Sequence, residues 1–497
     1  MKPEPRKSMK LGRLLQAAPS AVLDGVAATE ISSLAYDSRA VLPGGLFFAL
    51  PGAKTDGGLF LEEAARRGAV AVVHEKGVRP PRGIAGVGVE SARIAMADLA
   101  AEFHGHPSEK LRVIGVTGTN GKTTTVFMIR DMLREAGFSA GLVGTICYEF
   151  GGRRISAART TPESLDLQRI LAEALQAGDT AMAMEVSSQG LAAERLRGTR
   201  FAAAVFTNLS VDHLDFHQTM EAYFDAKKRL FATLAIQAPG APAAVNLDDP
   251  YGRRLAAEPF LAGNRLAFGC HPDAQVRAED IRLSEKASVF RAVTPWGEAR
   301  VELGLAGRFN VSNALGAMSV CGALGVPLAA MAAALAKMAP VPGRLERIED
   351  PRGRHLFVDY AHTEDALRNV LQTLRETTPG RLICVFGCGG NRDRSKRPRM
   401  GAAVSAIADL AIATSDNPRG EDPLAILEEI LPGMDRSKPH LVEPDRARAI
   451  RAALAEARAG DTVLVAGKGH EPYQEIAGRM LHFDDREVLR EALAEGL

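Results

Sequence analysis

Short apolar runs without polar alternation recur along the chain, and segments long enough for a helix separate them. Such runs are typical of strands that are buried on both faces of a parallel sheet. They predict strands at 111–117, 181–184, 202–206, 382–386, 410–414 and 462–466. Residues 31–90 add short β-rich runs between turn residues, such as 41–52 and 69–75. The fold class is therefore α/β.

The length of the chain and the positions of proline and glycine predict how it divides into domains. Its 497 residues suggest about three domains. Proline and glycine at 340–344 mark one junction, and the start of the strand at 111–117 marks the other. We predict domains over 1–110, 111–342 and 343–497.

Composition excludes several classes of protein. Sixty-one Lys and Arg against 60 Asp and Glu leave a net charge of +1, so nucleic acid is not an expected partner. The apolar share of 46% and charged share of 24% are those of an ordinary globular protein. The five cysteines are scattered and never spaced as CxxC, which indicates a reducing compartment without disulfides or a zinc site.

Membrane insertion and secretion are not expected. The basic N-terminus has no continuous apolar run behind it, unlike a secretory signal. The uncharged stretch 311–336 is long enough to cross a bilayer, but glycine and proline interrupt it. It predicts two helices of small residues that meet at the turn 325–327, and we expect a cytoplasmic protein.

A glycine loop follows the strand at 111–117 and leads into a predicted helix over 126–136. Glycines let backbone N–H groups turn towards phosphate oxygens, a lysine meets the β- and γ-phosphates, and the next hydroxyl ligates Mg²⁺. The usual motif has a further glycine where this chain has Val116, so the loop is a shortened variant. An ordinary tight turn is the alternative. The candidate nucleotide-binding residues are Gly118, Thr119, Asn120, Gly121, Lys122, Thr123 and Thr124.

Polar residues follow the strands at 181–184 and 202–206, namely Glu185, Asn208, Asp212 and His213. Ligands of parallel sheets lie beyond the carboxyl ends of the strands, so these residues should converge near Lys122. Oxygen ligands suit Mg²⁺, and a histidine suits a second, softer position. We favour a metal for Glu185 and His213. The alternative is that Asp212, Asp215 and His217 cap helices or lie on the surface, and we favour it for the last two.

A helix predicted over 220–234 carries a lysine within its apolar face. Its apolar residues span about 120°, and Lys227 lies at their centre. Burial disfavours the charged form of a lysine, and a neutral amine combines with CO₂ to give a carbamate that could bind Mg²⁺. The helix alone favours the alternative, a lysine whose ammonium reaches water.

Eleven sequence blocks in order make the chain similar to the Mur ligase family of peptidoglycan synthesis. They are DSRAVLPGGLFFALPG (37–52), GTNGKTT (118–124), TTPE (160–163), MEVSSQGL (184–191), TNLSVDHLDFH (207–217), AYFDAKKRLF (222–231), GRFNVSNAL (307–315), DYAHTEDAL (359–367), FGCGGNRDRSKRPRMG (386–401), TSDNPRGEDP (414–423) and GKGHEPYQ (467–474). TTPE, DYAHT, FGCGGNRDR and GKGHE resemble the member that adds the third residue of the stem peptide.

The resemblance implies a small N-terminal UDP-binding domain, a central P-loop-type parallel-sheet ATPase domain and a C-terminal Rossmann-like domain that binds an amino acid. It implies that ATP converts the D-glutamate γ-carboxylate of UDP-N-acetylmuramoyl-L-alanyl-D-glutamate into an acyl phosphate. The amine of meso-2,6-diaminopimelate then displaces the phosphate. The implied cofactors are ATP and Mg²⁺, and the implied metal ligands are Thr123, Glu185, His213 and carbamylated Lys227. The catalytic set is Lys122 with Glu185, His213 and Lys227, and we expect a monomer.

Further site residues follow from the same resemblance. The implied contacts of the UDP-linked substrate are Tyr36, Ser38, Ala53, Lys54, Thr55, Arg159, Thr160, Thr161, Ser187, Ala193 and Arg195. Arg159 and Ala193 stand where some members carry asparagine and glutamine, and Glu364 replaces a frequent proline. The implied nucleotide contacts outside the glycine loop are Asn310, Asn313, Arg344 and Asp359.

The implied contacts of diaminopimelate are Arg392, Asp416, Asn417, Pro418, Arg419, Gly467 and Glu471. Arg419 can hold the distal carboxylate, which lysine lacks, through a two-pronged hydrogen bond. In the family, DNPR accompanies diaminopimelate, and enzymes that use lysine usually lack the arginine. The alternative for Arg419 is an exposed loop charge.

Three alternative functions stay open: the same ligase acting on L-lysine, an amide ligase of the folate or cyanophycin type, and a nucleotide-binding switch. The second shares the glycine loop and the buried lysine. The N-terminal block at 37–52 argues against it.

Overall fold

A computed structural model of the chain describes residues 8–52 and 56–497. Small elements dominate the first part. Its strands are Met9–Lys10 (β1), Val22–Asp24 (β2), Glu30–Ile31 (β3), Ser33–Ala35 (β4), Gly45–Phe48 (β5), Ala69–Glu75 (β6) and Ala85–Val89 (β7), and its α-helices are Leu11–Leu14 (α1), Leu61–Arg66 (α2) and Ala92–His104 (α3).

Strands and helices alternate through most of the middle part. Its strands are Arg112–Thr117 (β8), Ala140–Val143 (β9), Cys147–Phe150 (β10), Arg153–Ser156 (β11), Ala181–Glu185 (β12), Ala203–Phe206 (β13), Ala243–Asn246 (β14), Arg265–Gly269 (β15), Val276–Leu283 (β16), Ser288–Thr294 (β17) and Gly297–Leu303 (β18). Its helices are Lys122–Glu135 (α4), Ser164–Gln176 (α5), Ser188–Ala192 (α6), Leu214–His217 (α7), Met220–Gln237 (α8), Pro250–Ala256 (α9), Arg308–Ala323 (α10) and Leu328–Ala336 (α11).

The last part again alternates strands with helices. Its strands are Glu346–Ile348 (β19), His355–Asp359 (β20), Leu382–Cys388 (β21), Leu410–Ser415 (β22), His440–Val442 (β23), Thr462–Ala466 (β24), Tyr473–Ile476 (β25) and Arg479–His482 (β26). Its helices are Glu364–Thr377 (α12), Lys396–Ile407 (α13), Pro423–Ile430 (α14), Arg446–Glu456 (α15) and Asp485–Ala494 (α16). Glu364 opens α12, where a negative charge is favourable near the N-terminal end of the helix.

The chain divides into two compact units. The first comprises residues up to Gly115, Phe138–Ala204 and Ala226–Ala241. It holds a sheet in the order β2-β7-β6-β5-β4, which is parallel from β4 to β7. It also holds β9 and β12, which pair in parallel, and β12 ends at Glu185.

The second unit comprises Val116–Gly137, Val205–Asp225 and Pro242–Leu497. Its C-terminal sheet has the order β19-β20-β24-β21-β22-β23, and only β19 runs antiparallel to its neighbour. Buried apolar side chains line these strands, for example Val358, Val385 and Val463. Because β20, β21, β22 and β24 are parallel, the residues that follow them meet at one edge.

Most predicted elements are confirmed, and the α/β class with them. The helix expected at 126–136 begins four residues earlier, at Lys122, because the polar Lys-Thr-Thr-Thr stretch forms its first turn. The uncharged stretch forms α10 and α11, with Gly325 at φ +90° between them. No helix within the described ranges is long and apolar enough to span a membrane. The domain boundaries at 110 and 342 stay predictions.

Candidate active site

The glycine loop between β8 and α4 needs glycine at two positions. Gly118 has φ +154°, and a Cβ there would lie 1.9 Å from the Thr207 hydroxyl oxygen. Gly121 has φ +85°, and a Cβ would lie 2.2 Å from Oδ1 of Asn313. Both backbones adopt conformations that L side chains rarely take, and neither site has room for one. The loop is therefore built for close approach, as a phosphate cradle requires.

Lys122 opens α4 and folds back over this loop. Its Nζ donates to the carbonyl oxygens of Gly118 and Thr119 at 2.9 and 2.8 Å. The first N–H groups of a helix have no partner within it, and its N-terminal end carries partial positive charge. The ammonium and the start of α4 together provide a binding position for an anion such as phosphate.

Asn208, after β13, holds the glycine loop in place. Its side-chain oxygen accepts from the Asn120 N–H at 2.9 Å, and its carbonyl accepts from the Thr119 N–H at 3.0 Å. The prediction that Asn208 lies beside the loop of Lys122 is confirmed.

Asp212 is buried, so its interpretation as a surface residue is wrong. Its Oδ1 accepts from the His213 N–H at 2.8 Å and from Lys396 Nζ at 2.5 Å. Burial alone would raise the pKa of Asp212, but the charges of His213, Lys396 and His362 outweigh burial and hold the pKa well below its usual range. The carboxylate therefore fixes the segment after β13 to the start of α13.

The neighbouring histidines have different surroundings. His213 lies at φ +52° before α7, and its side chain is 42% exposed, which leaves it accessible to a ligand. His217 is buried, and its ring stacks on Tyr223 with centroids 5.1 Å apart, so it is a packing residue and not a surface one. Asp215 is exposed in the first turn of α7, as predicted.

In the first unit, Glu185 is 1% exposed and its carboxylate is held by one residue. Thr145 donates its N–H to Oε1 at 2.8 Å and its hydroxyl to Oε2 at 3.1 Å. Gly144 allows this approach, since a Cβ there would lie 2.5 Å from Oε1. A carboxylate offers about four acceptor positions, so Glu185 retains capacity for a cation.

The residues implied for the muramyl-peptide end cluster around Thr161. Its hydroxyl donates to the Glu185 carbonyl at 2.9 Å, and it lies 3.0 Å from both the N–H and the hydroxyl of Ser187. Arg195 donates to the Thr161 carbonyl at 3.2 Å and pairs with the buried Glu163 at 3.1 Å. Thr160 lies 3.1 Å from the Thr145 hydroxyl.

The two departures from the family pattern lie at the edges of this cluster. The Arg159 backbone is fixed by Tyr148, whose hydroxyl donates to its carbonyl at 2.6 Å and accepts from its N–H at 3.0 Å. Ala193 ends α6.

Lys227 is 1% exposed in α8, on the helix face of the buried Leu230 and Phe231, three and four residues further on. The alternative in which its ammonium reaches water is therefore wrong. Arg229, two residues further along the helix, is partly exposed and pairs with Glu194 at 2.5 Å. Lys227 thus lies in an environment that favours a chemically modified or specifically bound amine.

Two residues implied for the uridine end engage protein partners. The Tyr36 hydroxyl donates to Asp166 at 2.5 Å, and burial raises the pKa of Tyr36, so it stays a donor. The buried Ser38 donates to Glu63 at 2.8 Å. Ala53, Lys54 and Thr55 lie outside the described residues.

Two of the implied nucleotide residues, Arg344 and Asn313, contact the glycine loop or the start of α4. Arg344 donates to the Thr123 hydroxyl at 3.1 Å. Asn313 contacts Gly121 and donates to Asn310 Oδ1 at 3.2 Å. Asp359 accepts from the N–H groups of Leu345 and Ala361 at 2.6 and 2.7 Å; burial raises its pKa, and Arg344 opposes the shift.

Residues implied for the amino acid surround a buried lysine. Lys468 is fully buried, and its Nζ lies 3.0 Å from Asn417 Oδ1, 3.4 Å from Glu471 Oε2 and 3.7 Å from Asp416 Oδ1. Asn417 Nδ2 donates to Glu471 Oε2 at 3.0 Å. Gly467, at φ +117°, leaves room for Asp416, whose Oδ2 would be 3.2 Å from a Cβ. These loops follow β22 and β24 and form one polar cluster.

Arg419 is not an exposed loop charge, because its side chain is only 22% exposed. Its Nη1 donates to the Gly390 carbonyl at 2.8 Å, and its Nε lies 3.3 Å from Glu475. Its N–H donates to the Glu475 carbonyl at 2.9 Å, and its carbonyl accepts from the Ala477 N–H at 2.6 Å. The backbone of Arg419 is thus joined to the β25-β26 hairpin.

The remaining residues of this set border the same loop. Pro418 lies against the loop that follows β21, since a Cβ on Gly390 in that loop would fall 1.9 Å from the Pro418 carbonyl oxygen. Arg392 is exposed, and among the described residues its side chain donates to the neighbouring Asn391 carbonyl at 3.2 Å. It therefore keeps donors for a ligand.

Three contributing residues were not identified from the sequence: Lys396, Lys468 and Tyr360. Each lies in one of the eleven sequence blocks that resemble the family, and that resemblance could have identified them. Their partners, however, are distant in sequence. Lys396 meets Asp212, 184 positions away, and Tyr360 donates to Glu471, 111 positions away. Among the described residues, no group of three or more His, Cys, Asp or Glu is arranged to hold a metal ion.

Comparison with known families accounts for most of the chain. Residues 30–104 match the Mur ligase family catalytic domain, 116–321 the Mur ligase middle domain and 343–469 the Mur ligase glutamate ligase domain. These three matches agree with the predicted three-domain fold class.

Individual relatives extend over the full length. The UDP-N-acetylmuramoyl-L-alanyl-D-glutamate--2,6-diaminopimelate ligase of Solibacter usitatus is 46% identical over 488 residues, 98% of each chain. A solved structure of a ligase with the same name is 34% identical, covers 98% of this chain and 99% of its own, and has a TM-score of 0.68. The fold alone is shared with Thermotoga maritima MurF in complex with ADP, at 21% identity, a TM-score of 0.68, and 94% and 98% coverage. The chain belongs to the Mur ligase family.

Proposed function

We propose that this protein is an ATP-dependent amide ligase that adds meso-2,6-diaminopimelate to the D-glutamate γ-carboxylate of UDP-N-acetylmuramoyl-L-alanyl-D-glutamate. The step belongs to peptidoglycan precursor synthesis. The observation that carries the proposal is 46% identity, over 98% of the chain, to a ligase named for this reaction. The polar cluster around Lys468, together with Arg419 in the same loop as Asp416 and Asn417, supports the same substrate.

Acyl phosphate formation needs neutralised phosphates and a carboxylate held in line with them, which is a matter of positioning and charge. Lys122 and the start of α4 supply positive charge at the glycine loop. Arg344 reaches the Thr123 hydroxyl at 3.1 Å and adds a second cation there. No side chain needs to act as a covalent nucleophile.

Mg²⁺ suits the donors that the chain offers, because the Thr123 hydroxyl and the Glu185 carboxylate are hard oxygen ligands. When bound, the ion would neutralise charge on the phosphates. The set of Thr123, Glu185, His213 and carbamylated Lys227 stays a prediction from the family resemblance. The burial of Lys227 supports the carbamate, which forms when a neutral amine loses a proton and bonds to CO₂.

We assign the selection of the amino acid substrate to Arg419 and Glu471. Arg419 has five N–H donors and uses only part of them on Gly390 and Glu475, so it retains donors for a distal carboxylate. Glu471 would accept from the ammonium that does not react. We further propose a cytoplasmic location and a monomeric state, as the sequence predicts.

The decisive experiment measures ADP release from the purified protein. We expect release only when ATP, the UDP-linked dipeptide and meso-diaminopimelate are all present, with a product whose mass equals the two substrates less one water. ATP binding without such release would favour a switch. Release with a folate or peptide acceptor would favour the other amide ligases. L-Lysine used within tenfold of diaminopimelate would overturn the assigned amino acid.

A further inference from the structure

Tyr360 lies between the nucleotide residues and the amino-acid residues of the second unit. It follows β20, and its N–H donates to the Gly343 carbonyl at 2.9 Å. Gly469 packs against it, because a Cβ on Gly469 would lie 2.8 Å from the Tyr360 Cβ. Two contacts therefore fix the backbone that carries this ring.

The ring of Tyr360 meets the nucleotide side through Arg344. The Arg344 guanidinium carbon lies 4.6 Å from the ring centroid, a cation–π distance. The same guanidinium donates to the Thr123 hydroxyl at 3.1 Å. A phosphate bound near Thr123 would attract this cation, so the ring and the nucleotide share Arg344.

The hydroxyl of Tyr360 meets the amino-acid side. It donates to Glu471 Oε1 at 3.3 Å, while Glu471 Oε2 receives Asn417 at 3.0 Å and Lys468 at 3.4 Å. Burial and the charge of Glu471 raise the pKa of Tyr360, which keeps the phenol a proton donor. Tyr360 is thus one of three donors that orient this carboxylate.

We propose that Tyr360 is a positioning residue through which nucleotide binding increases the affinity for the amino acid. A bound nucleotide attracts the Arg344 guanidinium and so moves the Tyr360 ring that it covers. Because the phenol of Tyr360 is hydrogen-bonded to Glu471, the movement also changes the orientation of the Glu471 carboxylate. This inference rests on the proposed function and adds to it a route, through Tyr360, by which the bound nucleotide acts on the residues of the amino-acid site. Linkage requires the reverse effect to be equal.

The test uses the full-length protein saturated with the UDP-linked dipeptide. Titration calorimetry gives the Kd of meso-diaminopimelate with and without a non-hydrolysable ATP analogue. We expect the analogue to tighten wild-type binding about fivefold or more, the usual range of coupling. Tyr360→Phe keeps the ring but loses the phenol bond, so its coupling should fall below about twofold while its affinity for the analogue stays near wild type. Tyr251→Phe in α9 deletes the same atom elsewhere and should retain wild-type coupling.

Wild-type coupling in Tyr360→Phe, or no coupling in the wild type, would overturn the inference. The route is tested by combining Tyr360→Phe with Glu471→Gln. If the phenol acts through Glu471, the combined variant should have the coupling of Glu471→Gln alone, whereas additive losses would refute this route. Ligation by the wild type is measured first. A wild type that ligates diaminopimelate but shows no coupling defeats only this inference, whereas one that does not ligate it defeats the proposed function as well.

Discussion

Arg419→Ala tests the choice of amino acid most directly. The side chain is 22% exposed and already bonded to Gly390 and Glu475, so it lies between a surface charge and a fully buried one. The cost of 3–5 kcal/mol for breaking a fully buried pair is therefore too large here. A hydrogen bond to a charged group contributes about 1.5–3 kcal/mol.

That range corresponds to a loss of roughly 10- to 150-fold in kcat/KM for meso-diaminopimelate. L-Lysine has no distal carboxylate, so its small residual rate should change much less. Both rates are measured side by side from ADP release at saturating ATP and UDP-linked dipeptide. The KM for ATP should stay unchanged, because the Arg419 side chain contacts Gly390 and Glu475 and, among the described residues, forms no hydrogen bond or ion pair with the glycine loop.

Arg394→Ala is a matched control in the loop before α13. Its side chain is 68% exposed and pairs with Glu429 at the surface. A substitution at such an exposed position changes the free energy of unfolding by about 0.5 kcal/mol or less. Equal losses for the two amino acids in Arg419→Ala, or none for diaminopimelate, would refute the assigned role.

Three further predictions concern the nucleotide and metal residues. Lys122→Ala should reduce turnover below about a tenth of wild type at saturating ATP, because the phosphates lose their counter-charge; a higher residual rate contradicts this role. Lys227→Ala should lose activity and regain part of it with millimolar acetate or formate, and a mass spectrum of the active wild type showing a bare amine at Lys227 after mild trapping would disprove the carbamate. Gly121→Ala places a Cβ 2.2 Å from Asn313 at φ +85° and should lower stability by more than the 1–2 kcal/mol of backbone strain alone. Gly137→Ala is its control for thermal unfolding, since it has φ +87° but nothing within 4 Å; equal losses would exclude the clash.

The sequence predicted elements well wherever one physical signal dominated. The buried strand at 462–466 was placed to the residue, because uninterrupted apolar runs are buried on both faces. The start of α4 was placed four residues late, since Lys122 to Thr125 are polar and helical periodicity is seen only from Val126. Helices that begin on a ligand-binding loop lack the apolar pattern in their first turn.

The site was predicted in its composition but not in its connections. The glycine loop, Glu185 and the DNPR residues carry recognisable chemistry in short stretches of sequence. The burial of Lys468 and the ion pair of Lys396 with Asp212 depend on which loops the parallel strands bring together. The same holds for Asp212, for which the sequence alone left two interpretations open, a position near Lys122 and a capping or surface residue. Pairings across 51 to 184 positions have no local signature.

The backbone bonds between Arg419 and the β25-β26 hairpin bear on how amino-acid preference changes in evolution and in the laboratory. Arg419 adopts φ +56°, outside the region that most non-glycine residues occupy, and Glu475 and Ala477 hold it there from both sides. Replacing DNPR alone would change the side chains while leaving this imposed backbone in place. A graft intended to alter the accepted amino acid should therefore carry residues 416–419 and 473–482 together as one exchangeable module.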